Sequence, residues 1–229
     1  MGKTIFRLLK RGVLFFVGFS LLGVLVFRFV PVWVTPYIVA ERIRSVGGAP
    51  DLSFKKKWVP FEDISRQMPL AVIASEDQNF LNHSGFDFVQ LQKALDAKKK
   101  KKRGASTISQ QVAKNVFLWH GRSYLRKGLE VWFTVLIELL WSKERILEVY
   151  LNVAETGRLT FGVEAAAQRY FRVPASRLSR AQAARIAAIL PNPKVYRADK
   201  PGPYVQKRAL WIERQMRNLG GVDLLKKLE

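Results

Sequence analysis

The chain has no cysteine among its 229 residues. Disulfide bridges and cysteine-based metal sites are therefore excluded, while the compartment stays open because exported proteins need not contain cystine. Acidic residues are scarce: 18 Asp and Glu stand against 39 Lys and Arg, for a net charge of +21. Such an excess calls for an anionic partner, whether phosphate, nucleic acid or a membrane surface. Sustained strand alternation is missing, as are a glycine-rich phosphate loop and a dinucleotide fingerprint. What remains is a series of helical patterns on a chain long enough for one core of ordinary size. Tryptophan and phenylalanine are plentiful, with 6 and 15 residues, and a purely electrostatic binder would not need them.

One long hydrophobic run is present. Lys3, Arg7, Lys10 and Arg11 precede an uncharged stretch over 12–27, and Arg28 and the apolar segment 29–34 follow. Counted through Val34, about 23 residues give roughly 34 Å of helix, enough to cross a bilayer. Arg28 can snorkel, Trp33 and Tyr37 suit the headgroup region, and the preceding cations keep the N-terminus cytoplasmic. No small-x-small cleavage site follows closely, so the run reads as an uncleaved anchor rather than a signal peptide. The expected organisation is a basic cytoplasmic tail over 1–11 and a transmembrane anchor over 12–34. A membrane-proximal linker over 35–57 and a helical body over 58–229 would follow. A body held outside the cytoplasm counts against DNA as the anionic partner.

The stretch 75–87 packs two adjacent carboxylates, an aromatic and a histidine into one segment. An apolar run over 69–74 leads into it, with Pro69 suited to the first turn of a helix. Glu76 would leave the last turn of a mostly buried helix, short of water and near the negative helix end. That setting suits a general base or acid. Asp87 and Gln90 have the spacing of a capping box for a helix over 88–97 with Leu91 and Leu95 inward, so Asp87 reads as a cap. His83 reads as a structural hydrogen bond in the turn. The like-charged block 98–103 reads as a solvated loop that could also gather an anionic substrate or lipid headgroups.

After Gly104, Ser106 or Thr107 stands near the N-cap of a helix. Ser106, Gln110 and Lys114 share one face of it, and Thr107, Gln111 and Asn115 form the adjacent stripe. Amides and hydroxyls with a single cation suit a polar ligand bearing hydroxyls and a phosphate. Arg122, Arg126 and Lys127 add to the phosphate-binding potential. Glu130 is four residues from Arg126 and shares a stripe with Phe133, Thr134, Ile137 and Trp141, so it is expected to face inward. A buried acid beside two cations is costly unless used. Further helices are expected over 143–152 behind a Ser142 cap, and over 162–171, 179–190 and 204–219.

Together these motifs resemble one family, the peptidoglycan glycosyltransferases. The match is Glu76-Asp77-x-x-Phe80-x-x-His83-x-Gly85-x-Asp87, then Gly104-x-Ser106-Thr107-Ile108-x-Gln110-Gln111-x-x-Lys114-Asn115, then Arg126-Lys127-x-x-Glu130. It continues with Lys143-x-x-Ile146-Leu147-Glu148-x-Tyr150-Leu151-Asn152 and Gly162-x-Glu164-Ala165-Ala166-Ala167-x-x-Tyr170-Phe171. Five motifs in order are far more specific than any one. A proline-rich tail motif is matched at Leu190-Pro191-Asn192-Pro193 and only loosely after Tyr196. With Glu229 as the last residue, the expected form is the monofunctional one, without a transpeptidase domain.

The resemblance implies a mainly α, lysozyme-like, two-lobed glycosyltransferase domain preceded by a single N-terminal transmembrane helix. It implies polymerisation of lipid II into β-1,4-linked strands by inverting transfer from an undecaprenyl-pyrophosphate-linked donor. Glu76 would be the general base and Glu130 the second catalytic acid, orienting cations or helping to hold a divalent ion, magnesium or manganese. Lys114, Arg122, Arg126 and Lys127 would stabilise the leaving pyrophosphate; Ser106, Gln110, Gln111 and Asn115 would bind sugar and phosphate oxygens. Asp77, Phe80, His83, Gly85 and Asp87 belong to the motif, Asp77 as structural support. No organic cofactor and no nucleic acid are expected. The implied partners are lipid II, the growing strand, the membrane, and cell-wall synthesis or division proteins. The implied place is the bacterial inner membrane, with a cytoplasmic N-terminus and a periplasmic catalytic domain. Two rivals remain: a lysozyme-like glycan hydrolase, which would also use a carboxylate pair, and a non-enzymatic membrane-anchored polybasic binding protein.

Overall fold

The computed structural model describes residues 2–45, 53–96, 106–119, 121 and 123–228. Arg122, the block 98–103 and the glycine-rich segment 47–50 lie outside the described residues. The molecule is built around a helix with no polar side. Residues 68–74 are all buried, as an apolar run without amphipathic spacing requires. This helix is α3, Gln67–Glu76, in a series that begins with α1, Gly2–Phe29, and α2, Pro36–Ser45. After it come α4, Phe88–Asp96, α5, Ile108–Phe117, α6, Tyr124–Leu140, and α7, Lys143–Val153. The chain closes with α8, Val163–Phe171, α9, Arg180–Ile189, α10, Pro203–Asn218, and a terminal 3-10 segment.

Around α3 pack α9 and α10, while α5 lies between α6 and α7. Ala183, Ala184, Ala187 and Ala188 of α9 are fully buried, and small side chains there let helices approach closely. Helix starts follow their caps. Thr107 and Ser179 form capping boxes with Gln110 and Gln182, and Ser142 and Ser123 accept from the third backbone N–H of their helices. Three strands too short to leave an alternation pattern form a small sheet in the order β1-β3-β2: β1, Lys55–Lys56, β2, Glu155–Gly157, and β3, Thr160–Phe161. β2 lies at an edge of this sheet.

Two expectations are corrected. The N-terminal helix stops at Phe29 instead of running to Val34, because Pro31 offers no N–H and pushes the residue before it toward extended backbone. Leu91 does not point inward; it is 45% exposed, beside exposed Phe88 and Val89, although Asp87 caps the helix through Gln90 N–H at 2.9 Å.

The apolar N-terminal helix is long enough to cross a membrane, and its C-terminal end and the segment after it are tied to the body. Trp132 Nε1 donates to Ser20 Oγ at 3.1 Å and Trp141 Nε1 to the Val24 carbonyl at 2.8 Å. The Arg145 guanidinium donates to the carbonyls of Phe27 at 2.8 Å and Val30 at 2.7 Å. Lys56 Nζ holds the carbonyls of Val32 and Trp33. On α6, exposed Leu125, Val131, Val135 and Leu139 continue the apolar outer surface of α1.

Candidate active site

Glu76 is the last residue of α3, so its backbone is fixed by the most buried helix of the fold while its carboxylate reaches the surface. The side chain is 15% exposed. One oxygen accepts from Ser75 Oγ at 3.0 Å and faces the Arg208 guanidinium at 3.7 Å; the other accepts from Gln111 Nε2 at 3.2 Å. Gln111 is itself oriented: the Tyr150 hydroxyl approaches its Oε1 at 3.4 Å. Burial, with Glu76 and Asp77 adding their charges, pushes the Tyr150 hydroxyl well above its usual range. It therefore stays a donor, and the Gln111 amide is left to donate to Glu76.

Glu130 has the opposite setting. It is buried on α6, with Arg126 Nη1 at 2.7 Å on one oxygen and Lys127 Nζ on the other. Arg126 is mostly buried too, and its Nε has no hydrogen-bond partner among the described residues. Lys114, on α5, lies in the field of both acids. Burial lowers its pKa from the ordinary lysine value; Glu130 opposes that shift more strongly than Glu76 does, while Arg126 and Lys127 reinforce it. A buried ammonium is costly in proportion to what it lacks in partners, and an incoming anion would supply one.

The remaining motif residues join these pieces. Asp77 is buried and accepts from Ile108 N–H, at the start of α5, and from His83 Nε2, both at 3.0 Å. Gly85 N–H donates to His83 Nδ1 at 3.1 Å, which leaves the ring proton on Nε2. Thr107 Oγ1 donates to the Gly85 carbonyl at 2.7 Å. Gly85 sits at φ +86°, and a Cβ there would stand 2.8 Å from Thr134 Cγ2, so both backbone and space demand glycine. Phe80 is fully buried under Lys143, whose Nζ lies 4.5 Å from the ring centre.

Of the expected ligand residues, Gln111, Lys114, Arg126 and Lys127 converge on the two acids. Gln110 is spent locally: its Oε1 accepts from Thr107 N–H at 3.0 Å inside the capping box. Ser106 and Asn115 are half-buried on α5 and at its start.

Two residues here, Arg208 and Glu138, were not singled out from sequence, and Lys143 was read only as a motif position. Arg208 comes from α10 and reaches both Glu76 and Ser75. Lys143 bonds the His83 carbonyl at 2.6 Å and Glu138 at 2.9 Å, and Glu138 also accepts from Ser109 Oγ. The one sequence signal for Arg208 is its place beside the apolar stripe Val205, Ala209, Ile212 and Met216.

A model of the transglycosylase family matches residues 44–217. A biosynthetic peptidoglycan transglycosylase of Chromohalobacter salexigens is 58% identical over 225 residues, covering 97% of this chain and 96% of that protein. The protein of the same name from Pseudomonas putida (strain F1) is 53% identical over 232 residues, with 100% and 98% covered. That of Pseudomonas aeruginosa is 50% identical over 232 residues, with both chains fully covered.

Proposed function

Because the chain belongs to the transglycosylase family and is a glycosyltransferase of lysozyme-like fold, we propose that it polymerises lipid II in peptidoglycan synthesis. Glu76, held by Arg208, Gln111 and Ser75, takes the proton from the 4-hydroxyl of the acceptor sugar. That oxygen attacks C1 of the donor strand from the face opposite the leaving group. A β-1,4 bond forms, C1 is inverted, and the C1–oxygen bond to undecaprenyl pyrophosphate breaks. The charge arriving on the pyrophosphate is met by Lys114, Arg126 and Lys127, with Glu130 fixing the last two in place. Ser106, Asn115 and Arg122 are proposed to complete the sugar and phosphate contacts.

The observation that carries this reading is Lys114, placed in the field of a reachable carboxylate on one side and a buried acid with two cations on the other. Proton acceptor and anion clamp thereby form one site. The donor set does not fit a resident divalent ion at Glu130, because both of its oxygens are already held by cations. The charge is supplied by side chains instead.

The apolar helix is proposed as a single-pass anchor in the inner membrane, its Lys3, Arg7, Lys10 and Arg11 end cytoplasmic and the catalytic body periplasmic. Cell-wall synthesis or division proteins are the partners proposed there. The test is lipid II consumption by the detergent-solubilised full-length protein beside Glu76→Gln, with folding checked by circular dichroism. Polymer from the wild type and a loss of about 10²–10⁴-fold in the folded variant are expected. A well-folded wild type that makes no polymer overturns the reading.

A further inference from the structure

The outer face of α10 has no role in the site described so far. Its inner residues Val205, Ala209, Ile212 and Met216 are buried, and the helix packs on α9 and α3. On the other side Lys207, Leu210, Arg214 and Arg217 are exposed at helical spacing. With Gln206 and half-buried Trp211 they line a groove of about 640 Å³. No acid lines it, and the three cations make no ion pair with any described residue. An ordinary solvated helix face mixes acids among its lysines, since like charges three or four residues apart repel. This face tolerates that repulsion around an apolar floor.

The groove is also close to the proposed base. The Trp211 ring lies 5.9 Å from the Arg208 guanidinium, and that guanidinium lies 3.7 Å from Glu76. One arginine side chain separates the groove from the point where the acceptor hydroxyl would sit.

We propose that this groove binds the carboxylate-bearing peptide branch of the acceptor. The inference rests on the polymerisation reading, in which the sugar at Glu76 adjoins one carrying a short acidic peptide. Lys207, Arg214 and Arg217 would take the carboxylates, and Leu210 and Trp211 the apolar side chains. Anionic lipid headgroups would satisfy the same cations, but α10 packs on α9 and α3 whereas the anchor packs on α6, which favours the peptide.

The experiment uses the full-length protein in detergent. A soluble, lipid-free disaccharide–peptide and its carboxylate-amidated counterpart are titrated while tryptophan fluorescence is followed. Wild type is compared with the triple variant Lys207→Gln, Arg214→Gln, Arg217→Gln. Amidation and the triple substitution should each weaken binding about tenfold, and amidation should cost nothing further in the variant, as expected for a shared interaction. With lipid II as substrate, the variant should show a raised KM and a reduced preference over a peptide-free lipid-linked disaccharide. Equal binding of both ligands to both proteins overturns the proposal. So does a variant that loses affinity for vesicles containing anionic phospholipid while keeping its peptide affinity. Binding is read without turnover. An inactive wild type that binds the peptide therefore sinks the polymerisation reading, and a polymerising protein indifferent to the carboxylates sinks the groove.

Discussion

Asp77→Asn isolates what the motif around Glu76 does physically. The carboxylate is buried, with both oxygens 3.0 Å from His83 Nε2 and one of them 3.0 Å from Ile108 N–H. His83 cannot shift its proton to adapt, because Nδ1 already accepts from Gly85 N–H. Asparagine can keep one oxygen on both Ile108 N–H and His83 Nε2, but its amide nitrogen then takes the other oxygen's place, 3.0 Å from Nε2, as a buried donor facing a donor. Losing the charge from hydrogen bonds of this kind costs about 1.5–3 kcal/mol, and a buried donor left without an acceptor about 1–3 more. A negative charge at the start of α5 adds a few tenths of a kcal/mol through the helix dipole. The sum is on the order of 4 kcal/mol, which for a chain of this size lowers the unfolding midpoint by about 10 °C. Thermal unfolding in detergent, followed by circular dichroism, reads this directly. If the variant melts within about 2 °C of wild type, less than 1 kcal/mol has been lost and the tie is not structural. If it also lacks activity, Asp77 acts on the substrate.

Gly85→Ala places a methyl 2.8 Å from Thr134 Cγ2 at a positive φ, so a loss of about 1–3 kcal/mol is expected in the same melting experiment. Lys114 has its pKa lowered by burial. As pH rises through the lowered value, the ammonium and its proposed hold on pyrophosphate are lost before an ordinary lysine would titrate. Folded-state stability rises over that same interval, because the unfolded chain still binds the proton. The kcat/KM profile should therefore show an alkaline limb that Lys114→Arg moves to higher pH; a limb unchanged by that substitution refutes the assignment. Arg208→Ala should lower kcat about tenfold with little change in KM, since Arg208 reaches the proposed base rather than the clamp; a raised KM alone would place it on the substrate. Arg145→Ala removes the donors to the Phe27 and Val30 carbonyls and should cost about 2–4 kcal/mol in stability, while kcat stays near wild type.

Local rules carried much of the sequence reading. An apolar run ending in Glu76 reports a buried helix with an acid at its tip, and no tertiary knowledge is needed to see it. The stripe of Glu130, Phe133, Thr134 and Ile137 reports an inward acid in the same way, and all four are buried. The caps at Asp87, Thr107 and Ser142 are also local. What escaped is what the chain brings together late. Arg208 meets Glu76 only because α10 packs on α3, and its one local signal, a place beside an apolar helix stripe, does not say which acid it reaches. Glu138 joins Ser109 to Lys143 through contacts between three helices. The amphipathic rule failed at Leu91, where a regular apolar spacing has no packed face beneath it among the described residues.

The motif residues divide by what they have left to offer. Asp77, His83, Gly85, Thr107, Gln110 and Phe80 have their groups committed to one another, so their shared task is to join the end of α3 to the start of α5. Gln111 and Lys114, with the unpartnered Nε of Arg126, lie where an incoming ligand would complete them. This division bears on the hydrolase alternative. Cleaving a neutral glycan with water needs two carboxylates but has no use for Lys114, Arg126, Lys127 and Arg208 gathered around them. A desolvated lysine beside a doubly clamped acid is costly to maintain in a resting protein. Its cost would be offset by the pyrophosphate of the proposed donor, and a glycan hydrolase never presents one.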